Sequence, residues 1–262
     1  MGADGALTPV PGSPFSVGKT ILSLAVDSHG GFVYATAETN PYFFNGVFAY
    51  SIGSNGSLTL ITGSPFKTGH EPFGITVDQN GKFVYVCNSM SNNVWGYHIE
   101  STGGLRRISG DPFAVGSSAS FIALDPTGSF AYVSASSGLK IESVAQNGAL
   151  TLIGHTKVGR PNSLAVDPTG KFLYVADDAT NSLAAYSIDS SGSLTPLPNS
   201  RFATGSSPFG VVVDRTGTFV YVTNYGDNSV SGYRIGSNGG LSQLSGSPFA
   251  AGTNPYRLTV AP

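Results

Sequence analysis

The run Phe209-Gly210-Val211-Val212-Val213-Asp214-Arg215-Thr216-Gly217-Thr218-Phe219-Val220-Tyr221 holds the smallest piece of sequence from which the fold can be read. An apolar stretch stops at an aspartate, a glycine follows three positions on, and an aromatic–apolar–aromatic triplet starts two positions after the glycine. Asp at the first and Gly at the last position of a four-residue unit is a type I turn signature. The flanking segments then read as two antiparallel strands. The same unit recurs with Asp27 and Gly30, Asp78 and Gly81, Asp125 and Gly128, and Asp167 and Gly170, at a period of about 47 residues. Five carboxylates in register could also suggest a metal ring, but the turn accounts for all five.

Working outward from each turn gives four strands per unit. The first precedes the Asp (Leu22 to Val26, Phe73 to Val77, Phe121 to Leu124, Ser163 to Val166, Phe209 to Val213). The second opens at Phe32, Phe83, Phe130, Phe172 and Phe219. The third carries a hydrophobic-x-x-Tyr-x-hydrophobic pattern, as in Val94 to Ile99 and Val230 to Ile235. The fourth is short and begins at Leu58, Leu105, Leu150, Leu194 and Leu241. Gly-Ser-Pro-Phe, at residues 12–15, 63–66 and 246–249, then leads onward, its proline forcing a turn. Such a meander cannot bury both faces alone, whereas stacking the units radially does. The expected fold is an all-β propeller of four-stranded antiparallel blades in one domain, 1–262, with units at about 12–62, 63–109, 110–153, 154–198 and 199–245. Terminal strands 6–11 and 255–262 sit at a closure seam, giving five complete blades and a rudimentary or split sixth. Unpaired edges there would invite self-association. In the third unit Glu142 replaces the tyrosine found at Tyr50, Tyr97, Tyr186 and Tyr233.

Composition narrows the function. Charged residues are 11 % of the chain and the formal net charge is −2, with no basic run, so the dense positive field of a nucleic-acid binder is missing. No apolar stretch is long enough to span a bilayer as a helix. The single cysteine, Cys87, falls mid-strand as a buried thiol and offers neither a disulfide nor a thiolate metal site. His29, His70, His98 and His155 lack metal-ligand spacing, and no cofactor or metal is expected. Gly18-Lys19-Thr20 lacks the earlier glycine of a phosphate loop, and no Gly-x-Ser-x-Gly elbow occurs. Asn55-Gly56-Ser57 reads as a turn. Met1 to Gly5 shows no signal-peptide pattern, while the Ser/Thr/Gly-rich, charge-poor composition points to a secreted or periplasmic setting.

Tyr221-Val222-Thr223-Asn224, with the variants Val86-Cys87-Asn88 and Val175-Ala176-Asp177, resembles the repeat of the YVTN β-propellers. These group with the lactonase-type seven-bladed propellers, which include 6-phosphogluconolactonases and carboxymuconate-lactonizing enzymes. The resemblance runs along the whole chain. It implies a Pro-Arg-His entry to one inner strand, a His entering another, and an Asn-Glu pair. The matching positions read Pro161-Asn162-Ser163, Phe73 and Asp177-Asp178, so those cations are absent.

The loops that enter the inner strands should ring one mouth of the channel, and there the repeat stops repeating. Lys19, His70, Glu71 and Arg160 share that offset. Just inside lie Leu22, Phe73, Ser120, Asn162, Phe209 and Tyr256, which suit a small-molecule pocket or a plugged channel. With the family's cations missing, the leading expectation is a non-catalytic module that binds a protein or small-molecule ligand, or serves as a scaffold. The alternative is a lactone hydrolase or cycloisomerase. In it His70 is the general base, Glu71 orients it, and Arg160 with Lys19 holds the substrate anion. Phe73, Asn162, Phe209 and Tyr256 line the ligand site.

Overall fold

The computed structural model describes residues 9–16, 18–38 and 45–260. The described residues form five antiparallel sheets, with no helix among them. Blade 1 is built from Thr20–Val26, Phe32–Glu38, Asn45–Ile52 and Leu58–Leu60. Blade 2 uses Pro72–Val77, Phe83–Asn88, Asn93–Ile99 and Leu105–Arg107. Blade 3 uses Phe121–Leu124, Phe130–Ala135, Gly138–Val144 and Leu150–Thr156. Blade 4 uses Pro161–Val166, Phe172–Asp177, Ser182–Ile188 and Leu194–Ala203, and blade 5 Pro208–Val213, Phe219–Asn224, Ser229–Ile235 and Leu241–Gln243. Where Ser-Pro-Phe or Asp111-Pro112-Phe113 interrupts the outer edge, a second short strand follows (Phe66–Lys67, Phe113–Ala114, Phe249–Ala250). It pairs with the third strand of the blade before it. Blades 3 and 4 lack that lead-out, and their outer strands run on unbroken.

All five Asp-x-x-Gly units are turns. Each Gly N–H donates to the Asp carbonyl, at 2.9 or 3.0 Å, and each Gly has positive φ. Each Asp carboxylate accepts the backbone N–H two residues on and that of the Phe five residues on, as in Asp78 with Asn80 and Phe83. Those bonds are why a buried carboxylate is tolerated at Asp27, Asp78, Asp125 and Asp167.

Blades join through two repeated devices. The second-strand tyrosine of each of blades 1 to 4 donates its hydroxyl to a glycine carbonyl in the turn of the next: Tyr34 to Gly103, Tyr85 to Gly148, Tyr132 to Gly192, Tyr174 to Gly239. These glycines have positive φ, and a Cβ on them would strike Phe32, Phe83, Phe130 or Phe172 of the preceding blade at 2.3–2.6 Å. At the other end, Asn92, Asn181 and Asn228 accept, through the side-chain carbonyl, the N–H of Ser118, Ser207 and Asn254 in the next entry loop. Four apolar clusters fill the four interfaces between consecutive blades.

The sixth unit departs from expectation. Tyr256 to Val260 is not a strand: among the described residues no second strand lies there to pair with it. It still occupies the sixth inner position: Asn254 is latched like Ser118 and Ser207. The Tyr256 carbonyl also accepts from Thr223 Oγ1, as the Phe73 carbonyl does from Thr36 Oγ1. Residues 261–262, and Leu7 and Thr8 of the expected first strand, lie outside the described residues. Val10 is not in a strand, and its side chain sits against Gly56 of blade 1.

Candidate functional site

Strand direction divides the chemistry between two ends. The Asp-x-x-Gly turns lie at one end of the propeller. The entry loops and the loops between second and third strands lie at the other, and the sequence-predicted rim is there. In the entry loops of blades 2, 3 and 5 and of the sixth position, Glu71, Ser118, Ser207 and Asn254 all take φ near +50°, a sharp backbone turn ahead of the inner position.

His70 and Glu71 share the blade 2 entry loop. The His70 N–H donates to Ser91 Oγ at 2.7 Å and its side chain is exposed. Glu71 Oε2 accepts from Ser89 Oγ at 2.7 Å, and the Ser89 N–H donates to the Glu71 carbonyl, which fixes this carboxylate beside the mouth. Arg160 enters on blade 4, where its guanidinium meets Asp178 at 2.5 Å. Lys19 is exposed on the blade 1 rim. The four residues therefore share one end of the molecule but stand on three separate blades.

Asp177, at the position of the implied Asn-Glu pair, is fully buried and structural. Burial alone would raise its pKa. The N–H groups of Arg160 and Gly159, the Arg201 guanidinium at 2.6 Å and the Thr180 hydroxyl outweigh that and hold it below the ordinary carboxylate range. Asn162 is also engaged: its Nδ2 donates to the Pro208 carbonyl of blade 5.

Phe73, Phe209 and Tyr256 do come together. Phe209 stacks on Tyr256 at 4.1 Å between centroids, Phe73 reaches Phe209 and Tyr256 at 6.4 Å, and Phe121 joins at 5.3 Å from Phe73. Rings from blades 2, 3 and 5 and the sixth position thus meet across the channel as an aromatic floor. Tyr225, partly exposed, stands edge-on to Tyr256. Sequence reading placed Ser120 in this ring, whereas Phe121, one residue later, supplies it. It also passed over Ser89, whose only signal is its place in the adjoining loop, and Arg257, which directly follows the sixth entry.

Two clefts of about 460 and 380 Å³ open at the opposite end, one between blades 2 and 3 (Asp78, Lys82, Thr127, Gln146) and one between blades 4 and 5 (Asp167, Lys171, Thr218, Arg234). They occupy equivalent places in the repeat, so they follow from blade packing. The repeat breaks at the mouth, not there, and the mouth remains the candidate site. Among the described residues no three His, Cys, Asp or Glu side chains gather as metal ligands, and no helix is long and apolar enough to cross a membrane.

A family model described as "Lactonase, 7-bladed beta-propeller" matches residues 22–122, 107–202 and 128–257. The chain belongs to this lactonase family. Among curated proteins none matches the sequence. A periplasmic gluconolactonase of Pseudomonas aeruginosa superposes with a TM-score of 0.72 at 18 % identity, over 89 % of this chain and 70 % of that one. A functionally unknown protein from Desulfotomaculum acetoxidans gives 0.71 at 17 % identity, over 88 % and 71 %. A 6-phosphogluconolactonase candidate from Bacteroides fragilis gives 0.60 at 17 % identity, over 89 % and 85 %. At such identities these likenesses establish the fold. The family match overturns the expectation of a non-catalytic binding or scaffold module. That reading weighed three substituted positions above a pattern that runs from residue 22 to residue 257.

Proposed function

We propose that this protein is a lactone hydrolase that works at the channel mouth, in an extracytoplasmic setting. The observation that carries the reading is a mouth that pairs an aromatic floor with an exposed His–Glu loop, in a chain of the lactonase family. An apolar floor with a few polar groups above it suits a sugar-like ring. His70 takes a proton from water, and the hydroxide formed attacks the lactone carbonyl. The tetrahedral oxyanion collapses with cleavage of the ring C–O bond, and the proton passes from His70 to the departing ring oxygen. The product is the open hydroxy acid. Glu71, held by Ser89, orients His70, while Arg160 and Lys19 attract the anionic end of the substrate. The lactonase kinship of the Pseudomonas periplasmic protein and the charge-poor composition support the extracytoplasmic setting.

Turnover of a panel of aldono- and muconolactones by the wild type, His70→Ala and Arg160→Ala tests the assignment. Loss of His70 should lower kcat by about 10²–10⁴-fold, and loss of Arg160 should raise KM more than it lowers kcat. No turnover by the wild type, or turnover indifferent to His70→Ala, would overturn it.

A further inference from the structure

One cation at the mouth takes no part in that chemistry. Arg106, Arg107, Arg160 and Arg201 each pair with a carboxylate. Arg257 does not: among the described residues its guanidinium has neither an ion-pair nor a hydrogen-bond partner. It reaches from the sixth inner position over the aromatic floor, with Cζ 4.7 Å from the Phe121 centroid, 5.9 Å from Phe73 and 6.0 Å from Tyr256. Ring faces attract a guanidinium and hold its plane, yet they satisfy none of its N–H donors. The rings take water from around it and depress its pKa, with the Tyr256 hydroxyl acting in the opposite sense, but the residue keeps a solvent-exposed side. Five donors in a planar fork, partly dehydrated, reachable and without a counter-ion, match a planar oxyanion.

We infer that Arg257 is a further anion-holding residue, set over the aromatic floor while Arg160 and Lys19 act at the rim, and that its ligand is a carboxylate, the group every lactone hydrolysis leaves on its product. Arg160 is less suited to this task, since Asp178 already offsets its charge. The carboxylate docks in the plane of the Arg257 fork. The polyol chain of a sugar acid then lies along Tyr225 and Tyr256, whose rings stand 6.2 Å apart, edge to face. The same fork meets the oxyanion as it forms on the carbonyl, so Arg257 acts on the transition state as well as on the product. No covalent step is added to the reaction. The catalytic part of the inference rests on the lactonase reading, and the binding part does not.

The test is calorimetric titration of the whole chain with sodium gluconate and, separately, with the uncharged glucitol. It compares the wild type with Arg257→Met, Arg257→Lys and Arg234→Met. Arg234 also lies over a ring, that of Phe219, but lines the cleft at the opposite end. Gluconate should bind the wild type and Arg234→Met alike. It should bind Arg257→Met at least tenfold more weakly and Arg257→Lys to an intermediate degree, with glucitol unaffected by any change. Circular dichroism shows that each variant is folded, and Arg257→Lys keeps a cation over the rings should methionine disturb them. Equal gluconate affinity in wild type and Arg257→Met, or no gluconate binding by the wild type, would overturn the inference. Gluconate binding through Arg257 in a protein that hydrolyses no lactone would retain the site and remove the hydrolase.

Discussion

Leu24 and Ile75 hold the same place in consecutive inner strands, yet Leu24 is 61 % exposed and Ile75 8 %. Ile122, Leu164 and Val211, the next three in the series, are as covered as Ile75. The second-strand tyrosines divide the same way. Tyr34, Tyr85, Tyr132 and Tyr174 are fully buried and donate to the next blade's glycine carbonyl. Tyr221 is only partly buried, and among the described residues its hydroxyl has no hydrogen bond. Leu24 lies on the leading face of blade 1 and Tyr221 on the trailing face of blade 5. Equivalent positions of the repeat therefore differ in burial, because the core of this fold belongs to the interface between blades and not to any blade alone. Short segments cover part of each end: Val10 against Gly56, and Tyr256 with Leu258 against Gly210. Arg234 rests over Phe219, where an interior blade would set a glycine turn.

The comparison predicts its largest effect in paired truncations of the inner strand. Ile75→Ala opens a cavity in the cluster between blades 1 and 2 and should cost about 2–5 kcal/mol. Leu24→Ala removes a side chain already in water and should cost under about 0.5 kcal/mol. Urea unfolding of both variants decides the matter. Similar losses would show that the leading face of blade 1 is covered in solution.

Within the interior, blade 3 is the exception. Glu142 occupies the slot of a conserved-in-repeat tyrosine. Tyr97 and Tyr233 use that slot to donate to the carbonyls of Lys67 and Ala203. Glu142 is 1 % exposed, and its Oε1 has no partner among the described residues. Burial pushes its pKa up to about 7, against a smaller opposing pull from Lys140. A carboxyl whose folded-state pKa is raised stabilises most when protonated. Its contribution is complete below the unfolded value near 4.5 and is lost as pH climbs through about 7. The loss should be on the order of 3 kcal/mol. Unfolding free energies of wild type and Glu142→Gln, measured from pH 4 to pH 8, should converge at the acid end and separate in favour of Gln at the alkaline end. A pH-independent difference would reject buried titration at this site. Glu142→Tyr should stabilise at neutral pH by restoring the donor.

The five turns and the blade pattern were legible because each rests on contacts within a few residues: an aspartate on the amides that follow it, an aromatic after a glycine. The candidate site was legible only in part. Shared repeat offset brought Lys19, His70, Glu71 and Arg160 to one end, since offset fixes height in a ring. It could not reveal that Asp178 holds Arg160, that Asp177 and Asn162 are consumed by the scaffold, or that Arg257 crosses to Phe121. Those contacts join residues from different parts of the chain and depend on side-chain reach. The sixth inner strand was misjudged for a related reason. Its own sequence alternates properly, but a strand exists only beside a partner, and none of the described residues supplies one there.

The smallest effect separates the tyrosine latches. In Tyr174 the hydroxyl is buried and lies 2.9 Å from the Gly239 carbonyl, so Tyr174→Phe deletes one neutral hydrogen bond and leaves that carbonyl without its donor. The ring and its packing stay. Such a change costs about 1 kcal/mol, somewhat more where the orphaned acceptor is sealed from water. In Tyr221 the same substitution removes a hydroxyl that bonds to nothing described and is partly reached by solvent, so it should cost nothing measurable or slightly stabilise through greater apolar area. The two variants differ by one oxygen from the same parent, at the same position of the repeat, which cancels errors in the unfolded reference. Guanidinium titrations of both, with the midpoints compared at a common slope, give the difference directly. A Tyr221→Phe loss equal to that of Tyr174→Phe would mean that the Tyr221 hydroxyl has an acceptor in solution. The trailing face of blade 5 would then be an interface like the other four.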